Sequence, residues 1–99
     1  MITVTITDNG LTIDGHAGYA EIGKDIVCAA VSSLTQGLIH SLNALTDDEI
    51  SHSVASEHAE ISYKNLSERG MLLVDSFFIA VSDIQLTYGD YVKIGAGRA

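Results

Sequence analysis

The stretch MITVTITDNGLTIDGHA, residues 1–17, decides how the fold begins. From Met1 to Thr7, apolar residues alternate with threonines, which is the period-two pattern of a strand with one buried face. Asp8–Gly10 follows, and an Asn-Gly pair supplies the positive φ angles that a tight hairpin turn needs. The alternation then resumes, and predicts a return strand from Leu11 to about Ala17. Two antiparallel strands therefore open the domain.

The rest of the chain extends this hairpin with two helices and three more strands. Apolar residues at helical spacing predict a first helix from about Asp25 to Leu45, and Gly37 inside it indicates a close packing contact because an interior glycine weakens a helix. Ser67 is a candidate cap for a second helix that runs to about Tyr88. The remaining predicted segments are a loop at Gly18–Gly23, strands at Ile50–Ser56, His58–Asn65 and Tyr91–Ile94, and a flexible tail at Gly95–Ala99.

The element order ββαββαβ indicates an α+β protein. Because the strands alternate, one face of the sheet is drier than the other, and both long helices are expected on that face of a largely antiparallel sheet, as a two-layer sandwich. Residues 1–99 form a single domain at this length. The second helix is apolar around most of its circumference and needs cover on more than one side. A second subunit would supply that cover.

Composition limits the classes of partner. The formal net charge is −8, and nine of the thirteen carboxylates precede Tyr63 against a single Lys24. Such a surface repels nucleic acid and attracts basic partners, although acidity also simply keeps a small protein soluble. No apolar run is long enough for a membrane span, and one cysteine allows no internal disulfide. We expect no membrane association, no cofactor and a cytoplasmic location.

Cys28 is the first candidate for chemistry. A lone cysteine among apolar neighbours is most often an inert core residue. Cys28, however, falls in the first turn of the first helix, where free backbone N–H groups and the helix dipole stabilise an anion such as a thiolate. His16 ends the preceding strand, and the loop between them can bring its imidazole to the sulfur as a general base. His16 also fits a purely structural role at a strand end.

Asp25 has two possible roles, which can coexist. It can cap the first helix by accepting the N–H of Cys28, or it can orient His16 as the third member of a triad. The N–H groups around Cys28 are candidate oxyanion donors. The other histidines, at positions 40, 52 and 58, fit surface or structural roles, and their spacing does not indicate a zinc site.

The segments Gly15-His16-Ala17 and Asp25-Ile26-Val27-Cys28-Ala29-Ala30-Val31-Ser32 together resemble the ribosomal-processing cysteine proteases, the YsxB-like family. The resemblance is strong over residues 15–32. Elsewhere it extends only to length and element order.

This resemblance implies an endopeptidase that removes an N-terminal extension from a large-subunit ribosomal protein. It implies His16 and Cys28 as the catalytic pair with Asp25 in support, substrate contacts at Gly15, Ala17, Gly18 and Ser32, and a homodimer. Gly15 and the loop Gly18–Gly23 correspond to a segment expected to move over the substrate.

Two other functional classes stay open from the sequence. One is a non-catalytic module that binds a basic ribosomal or assembly partner. The other is a thiol enzyme of a different reaction class, such as a redox sensor that pairs Cys28 with an external thiol. The substrate can also belong to a mobile element rather than to the ribosome.

Overall fold

The computed structural model describes residues 1–96, and the elements follow the predicted order. Their bounds are β1 Ile2–Thr7, β2 Gly10–Asp14, α1 Ile26–Leu45, β3 Ile50–Ala55, β4 His58–Tyr63, α2 Glu68–Thr87 and β5 Val92–Ala96. The predicted α+β class is confirmed.

One five-stranded sheet carries the fold, in the order β3-β4-β2-β1-β5. The β1–β2, β2–β4 and β3–β4 pairs are antiparallel, and only β1–β5 is parallel among the described strands. The sheet is therefore largely antiparallel, as predicted. In the β2–β4 ladder Asp14 stands opposite His58, so the residues just beyond this pair, Gly15 and Glu57, also lie side by side. This register builds one wall of the candidate site.

The core lies between one sheet face and the two helices, which pack against each other. Buried residues alternate with more exposed ones in β1, in β2 from Leu11 onward and at the end of β4, as the period-two pattern requires, whereas β3 has no buried residue. The buried strand residues are Ile2, Val4, Ile6, Leu11, Ile13, Ile61, Tyr63 and Val92; α1 adds Val27, Val31, Leu38, Ile39 and Leu42, and α2 adds Val74, Phe77 and Val81.

Both helices start at a side-chain cap. Asp25 caps α1, and Ser67 caps α2 by accepting the N–H of Gly70 at 3.1 Å. The predicted cap at Ser67 is confirmed. Asp48 in turn accepts hydrogen bonds from the N–H and hydroxyl of Ser67, at 3.1 and 2.8 Å, and so ties the α1–β3 connection to the start of α2.

The outer face of α2 carries an apolar stripe made of Leu72, Ile79 and Leu86. These three side chains are 70%, 63% and 86% exposed and follow one another at intervals of seven residues. Within the described residues, α2 is also the one helix long and apolar enough to cross a membrane by length and composition alone. Its opposite face is part of the core, through residues such as Phe77.

Two predictions about the first hairpin need correction. The turn consists of Asp8 and Asn9, and Gly10 is already extended in β2 with φ 159°. Glycine is needed there because a Cβ would overlap the Ile61 carbonyl of β4, not because the turn requires a left-handed residue. The strand β2 ends at Asp14 rather than near Ala17, since Gly15 leaves the extended conformation with φ 92°.

Two further predictions are wrong. A Cβ at Gly37 would meet no atom within 4 Å, so no close contact explains this glycine in α1. Gly95 and Ala96, expected in a flexible tail, belong to β5, where they stand opposite Thr5 and Ile6 of β1. The rest of that predicted tail, residues 97–99, lies outside the described residues.

Candidate active site

A cleft of about 160 Å³ runs between α1 and the β3–β4 hairpin. Both predicted reactive residues, His16 and Cys28, line it. The other lining residues are Ile2, Ile13, Gly15, Val31, Ser32, Thr35, Gln36, Val54, Ala55, Ser56, Glu57, His58 and Ala59. The cleft therefore joins the end of β2, the first turns of α1 and the hairpin tip in one surface.

Cys28 lies in the first turn of α1 and is partly buried. Its Sγ accepts the backbone N–H of Ala17 at 3.3 Å. Ala17 directly follows His16 and is itself buried, so the segment that carries the histidine is held against the sulfur. The cysteine is neither sealed in the core nor separated from His16 by the body of the protein.

Asp25 acts as the cap of α1 and also as a clamp on the preceding loop. Its Oδ1 accepts the N–H groups of Val27 and Cys28, both at 3.0 Å. Its Oδ2 accepts those of Tyr19 and Ala20, at 3.0 and 3.3 Å. These bonds, that from the Cys28 amide foremost, lower the pKa of Asp25 below its ordinary value of 3.8 because they favour the ionised carboxylate.

The loop between β2 and α1 has a second attachment through Tyr19. The Tyr19 ring packs edge to face on Tyr88 and Tyr91, with centroid separations of 5.5 and 5.2 Å. Aromatic pairs favour this geometry. The loop is thus tied to α1 by Asp25 and to the end of α2 by Tyr19.

His16 is paired with a residue that the sequence did not single out. Its Nε2 lies 2.5 Å from Oε1 of Glu57, in the β3–β4 turn. Glu57 comes 41 positions after His16, and only the β2–β4 register brings the two together, so no local motif marks it. The described hydrogen-bond partners of Asp25, by contrast, are backbone amides.

The predicted oxyanion donors also need correction. The amides of Val27 and Cys28 donate to the Asp25 carboxylate, and that of Ala29 donates to the Asp25 carbonyl at 3.1 Å. A helix start that is capped by its own aspartate has these donors engaged. The amide aimed at the sulfur is that of Ala17, from the loop side of the cleft.

The predicted substrate-contact residues are spread around the cleft. Gly15 and Ser32 line it, Ala17 is buried beside the sulfur, and Gly18 stands in the exposed loop with φ 70°. Sequence reasoning missed Thr35 and Gln36 of α1 and Val54 of β3 as lining residues. The two α1 residues could have been found, since Cys28, Ser32, Thr35 and Gln36 follow helical i, i+4, i+7, i+8 spacing on one face.

His58, expected to be structural, lines the cleft next to this site. Its Nδ1 lies 2.5 Å from Oδ1 of Asp14, and its Nε2 lies 3.4 Å from Oε2 of Glu60. The bond to Asp14, and then that to Glu60, raise the pKa of His58 above 6.5 because carboxylates stabilise the imidazolium. Among residues 1–96, no group of three or more His, Cys, Asp or Glu side chains is arranged to hold a metal ion.

The chain is similar to known proteins both in sequence and in structure. The family model described as cysteine protease Prp matches residues 1–93. A ribosomal processing cysteine protease of Staphylococcus aureus (strain Mu50) is 28% identical over 103 residues, which cover 95% of this chain and 97% of the relative. Its counterpart in Mycoplasma genitalium is 54% identical over 37 residues, 37% of each chain. The crystal structure of an essential ribosomal processing protease from S. aureus, in complex with a covalently linked product peptide, superposes with a TM-score of 0.92 at 25% identity, covering 97% of this chain and 99% of the other.

Proposed function

The chain belongs to the Prp cysteine protease family, and from that premise we propose that it removes an N-terminal extension from a large-subunit ribosomal protein with Cys28 as nucleophile and His16 as base. The observation that carries this proposal is the 3.3 Å contact between the Ala17 amide and Cys28 Sγ, which holds the histidine segment against the sulfur in an open cleft.

The proposed reaction uses the Cys28 thiol, the His16 imidazole and the Ala17 N–H in turn. His16 takes the thiol proton, and the sulfur attacks the scissile carbonyl carbon to form a tetrahedral adduct. The N–H of Ala17, which donates to Sγ in the free protein, is the amide we assign to the oxyanion, and it leaves the sulfur as the adduct forms. His16 returns the proton to the leaving amine, and water then hydrolyses the thioester.

The shape and charge of the site support a basic, extended peptide as substrate. The cleft is bounded by Ser32 and Gln36 of α1 on one side and by Val54 of β3 on the other. As the outer strand of the sheet, β3 has an unpaired edge, to which an extended peptide can add main-chain hydrogen bonds. The net charge of −8 attracts the basic residues that are common in ribosomal proteins.

We also propose that the enzyme works as a homodimer in the cytoplasm. The apolar stripe of Leu72, Ile79 and Leu86 on α2 is the surface we assign to the second copy, because three large exposed apolar side chains at heptad spacing can pack against the same residues of another helix. Because the stripe lies on the outer face of α2, a dimer formed through it leaves the cleft between α1 and the β3–β4 hairpin open.

The test is incubation with the precursor of the cognate ribosomal protein, followed by intact-mass analysis of that precursor. The wild-type protein is expected to give one shortened product, and the Cys28→Ala and His16→Ala variants are expected to give none. Matched controls are Ser33→Ala, in the groove between α1 and α2, and His40→Ala, exposed on α1 outside the cleft lining; both should cleave as the wild type does. Cleavage by Cys28→Ala, or precursor binding without cleavage by the wild type, would contradict the proposal.

A further inference from the structure

The tip of the β3–β4 hairpin makes two contacts with the segment that carries His16. The backbone N–H of Gly15 donates to the carbonyl of Glu57 at 2.9 Å. The carboxylate of Glu57 then lies 2.5 Å from Nε2 of His16. Since β2 and β4 are paired directly up to Asp14 and His58, the strand register itself sets the relative position of the two residues.

The pairing distinguishes the two nitrogens of the imidazole. A carboxylate can only accept, so Nε2 must carry a proton to hydrogen-bond with Glu57. In the neutral ring Nδ1 is then bare, and it is the nitrogen able to take the proton of the Cys28 thiol. The hydrogen bond on one ring nitrogen thus decides which tautomer the base adopts.

We propose that Glu57 is the positioning residue of His16, holding the imidazole in the Nε2-protonated tautomer with Nδ1 free for Cys28. The inference rests on the proposed catalytic pair. Asp25, for which the sequence left both capping and the orientation of His16 open, has its two oxygens on four backbone amides of α1 and the loop. Glu57 is the carboxylate that the fold brings to the histidine.

Orientation, rather than stability, is what this contact provides. The side chains of His16 and Glu57 are 50% and 63% exposed, and an ion pair in that environment adds little to the free energy of folding. A misplaced or wrongly protonated base, in contrast, affects every turnover. A variant without this contact should fold normally and react slowly.

The test compares Glu57→Ala, Glu57→Gln and a control, Glu49→Gln, at an exposed position before β3. With a peptide from the cognate precursor, Glu57→Ala should lower kcat by about 10²-fold and change KM far less, because the base loses its orientation while the rest of the cleft still binds the peptide. Glu57→Gln keeps an accepting oxygen and should stay within about tenfold of the wild-type kcat. Glu49→Gln should match the wild type.

A second readout needs no substrate. In ¹⁵N NMR spectra of the wild type at a pH where the ring is neutral, the His16 imidazole should show a protonated Nε2 and a bare Nδ1. Glu57→Gln should preserve this pattern, and Glu57→Ala should give a mixture of tautomers. A wild-type ring that is a mixture, or that is protonated on Nδ1, would overturn the inference even if Glu57→Ala failed to fold.

The His16→Ala variant separates the two hypotheses. If His16→Ala keeps the wild-type kcat, the proposed catalytic pair is wrong. If His16→Ala is inactive but folded Glu57→Ala has the kcat of Glu49→Gln, the pair stands and the role of Glu57 is refuted.

Discussion

Gly15 is the backbone position where a single methyl group should disturb both stability and catalysis. It has φ 92°, and a Cβ there would overlap the carbonyl oxygen of Met1. That carbonyl cannot easily retreat, because the next residue, Ile2, is buried and its N–H bonds to the Tyr91 carbonyl at 2.8 Å. Gly15→Ala must therefore push the segment leading to His16 away from β1.

The size of the effect follows from two separate contributions. A positive φ costs a non-glycine residue about 1–2 kcal/mol. The overlap with a backbone atom adds about 1–3 kcal/mol, as overpacking generally does. Relief of the overlap moves the chain by roughly 1 Å, and a misplacement of this size at a catalytic base costs about 10²-fold in kcat.

Gly23→Ala is the matched control. Gly23 has a similar φ of 87°, but a Cβ there meets no atom within 4 Å, so only the cost of the positive φ remains. Guanidinium denaturation should show a larger loss of unfolding free energy for Gly15→Ala than for Gly23→Ala, and precursor cleavage should show a larger loss of kcat for Gly15→Ala than for Gly23→Ala. Equal stability and equal kcat in the two variants would show that the Met1 carbonyl does not constrain Gly15.

Three further predictions concern the clamp, the second histidine and the stripe on α2. Asp25→Ala should speed hydrogen exchange at the Tyr19 amide, and unchanged exchange would contradict the clamp. Because the pKa of Asp25 is lowered, the contribution of Asp25 to stability is complete above pH 3.8 and is lost as the pH falls through the lowered pKa. Because the pKa of His58 is raised, its bond to Asp14 contributes fully to stability below pH 6.5, and this contribution is lost as the pH rises through the raised pKa. His58→Gln should remove this decline in unfolding free energy between pH 5 and 9, as measured by denaturation at each pH. The same decline in His58→Gln as in the wild type would contradict this role of the bond. Replacing Leu72, Ile79 and Leu86 together by Gln should convert a dimer to a monomer in light-scattering measurements. The control is Leu45→Gln, which replaces an exposed apolar residue of α1 and should leave the dimer intact. A triple variant that stays dimeric would rule out this face of α2.

Sequence periodicity was sufficient for the fold because each element carries its own signal. Alternation marked β1 and β2, helical spacing marked α1, and Ser67 marked the start of α2. These are local patterns, and local patterns need no knowledge of the neighbouring chain. Two of the misjudged positions, Gly10 and Gly37, are glycines, and the local sequence does not tell whether another part of the fold approaches a glycine. The Ile61 carbonyl approaches Gly10, and no atom approaches a Cβ at Gly37 within 4 Å.

The site was predictable only where its residues lie close in sequence. His16, Asp25 and Cys28 fall within one loop and its flanks, so the strand end and helix start could be placed together in advance. Glu57 belongs to the site through the β2–β4 register, which depends on pairing between distant segments. The sequence also could not tell that Asp25 accepts the amides at the start of α1, because its position three residues before Cys28 fits both a helix cap and a residue that orients His16.

The most direct test of the central claim is to capture the covalent intermediate. The protein would be mixed with a peptide spanning the cleavage site of the cognate precursor, quenched in acid during the first turnover, and analysed by intact mass. The wild-type protein should carry an adduct on Cys28 equal in mass to the N-terminal fragment less one water, as a thioester requires, with far less adduct in His16→Ala and none in Cys28→Ala. Cleavage without any adduct on the wild-type protein, or an adduct that persists in Cys28→Ala, would contradict the central claim.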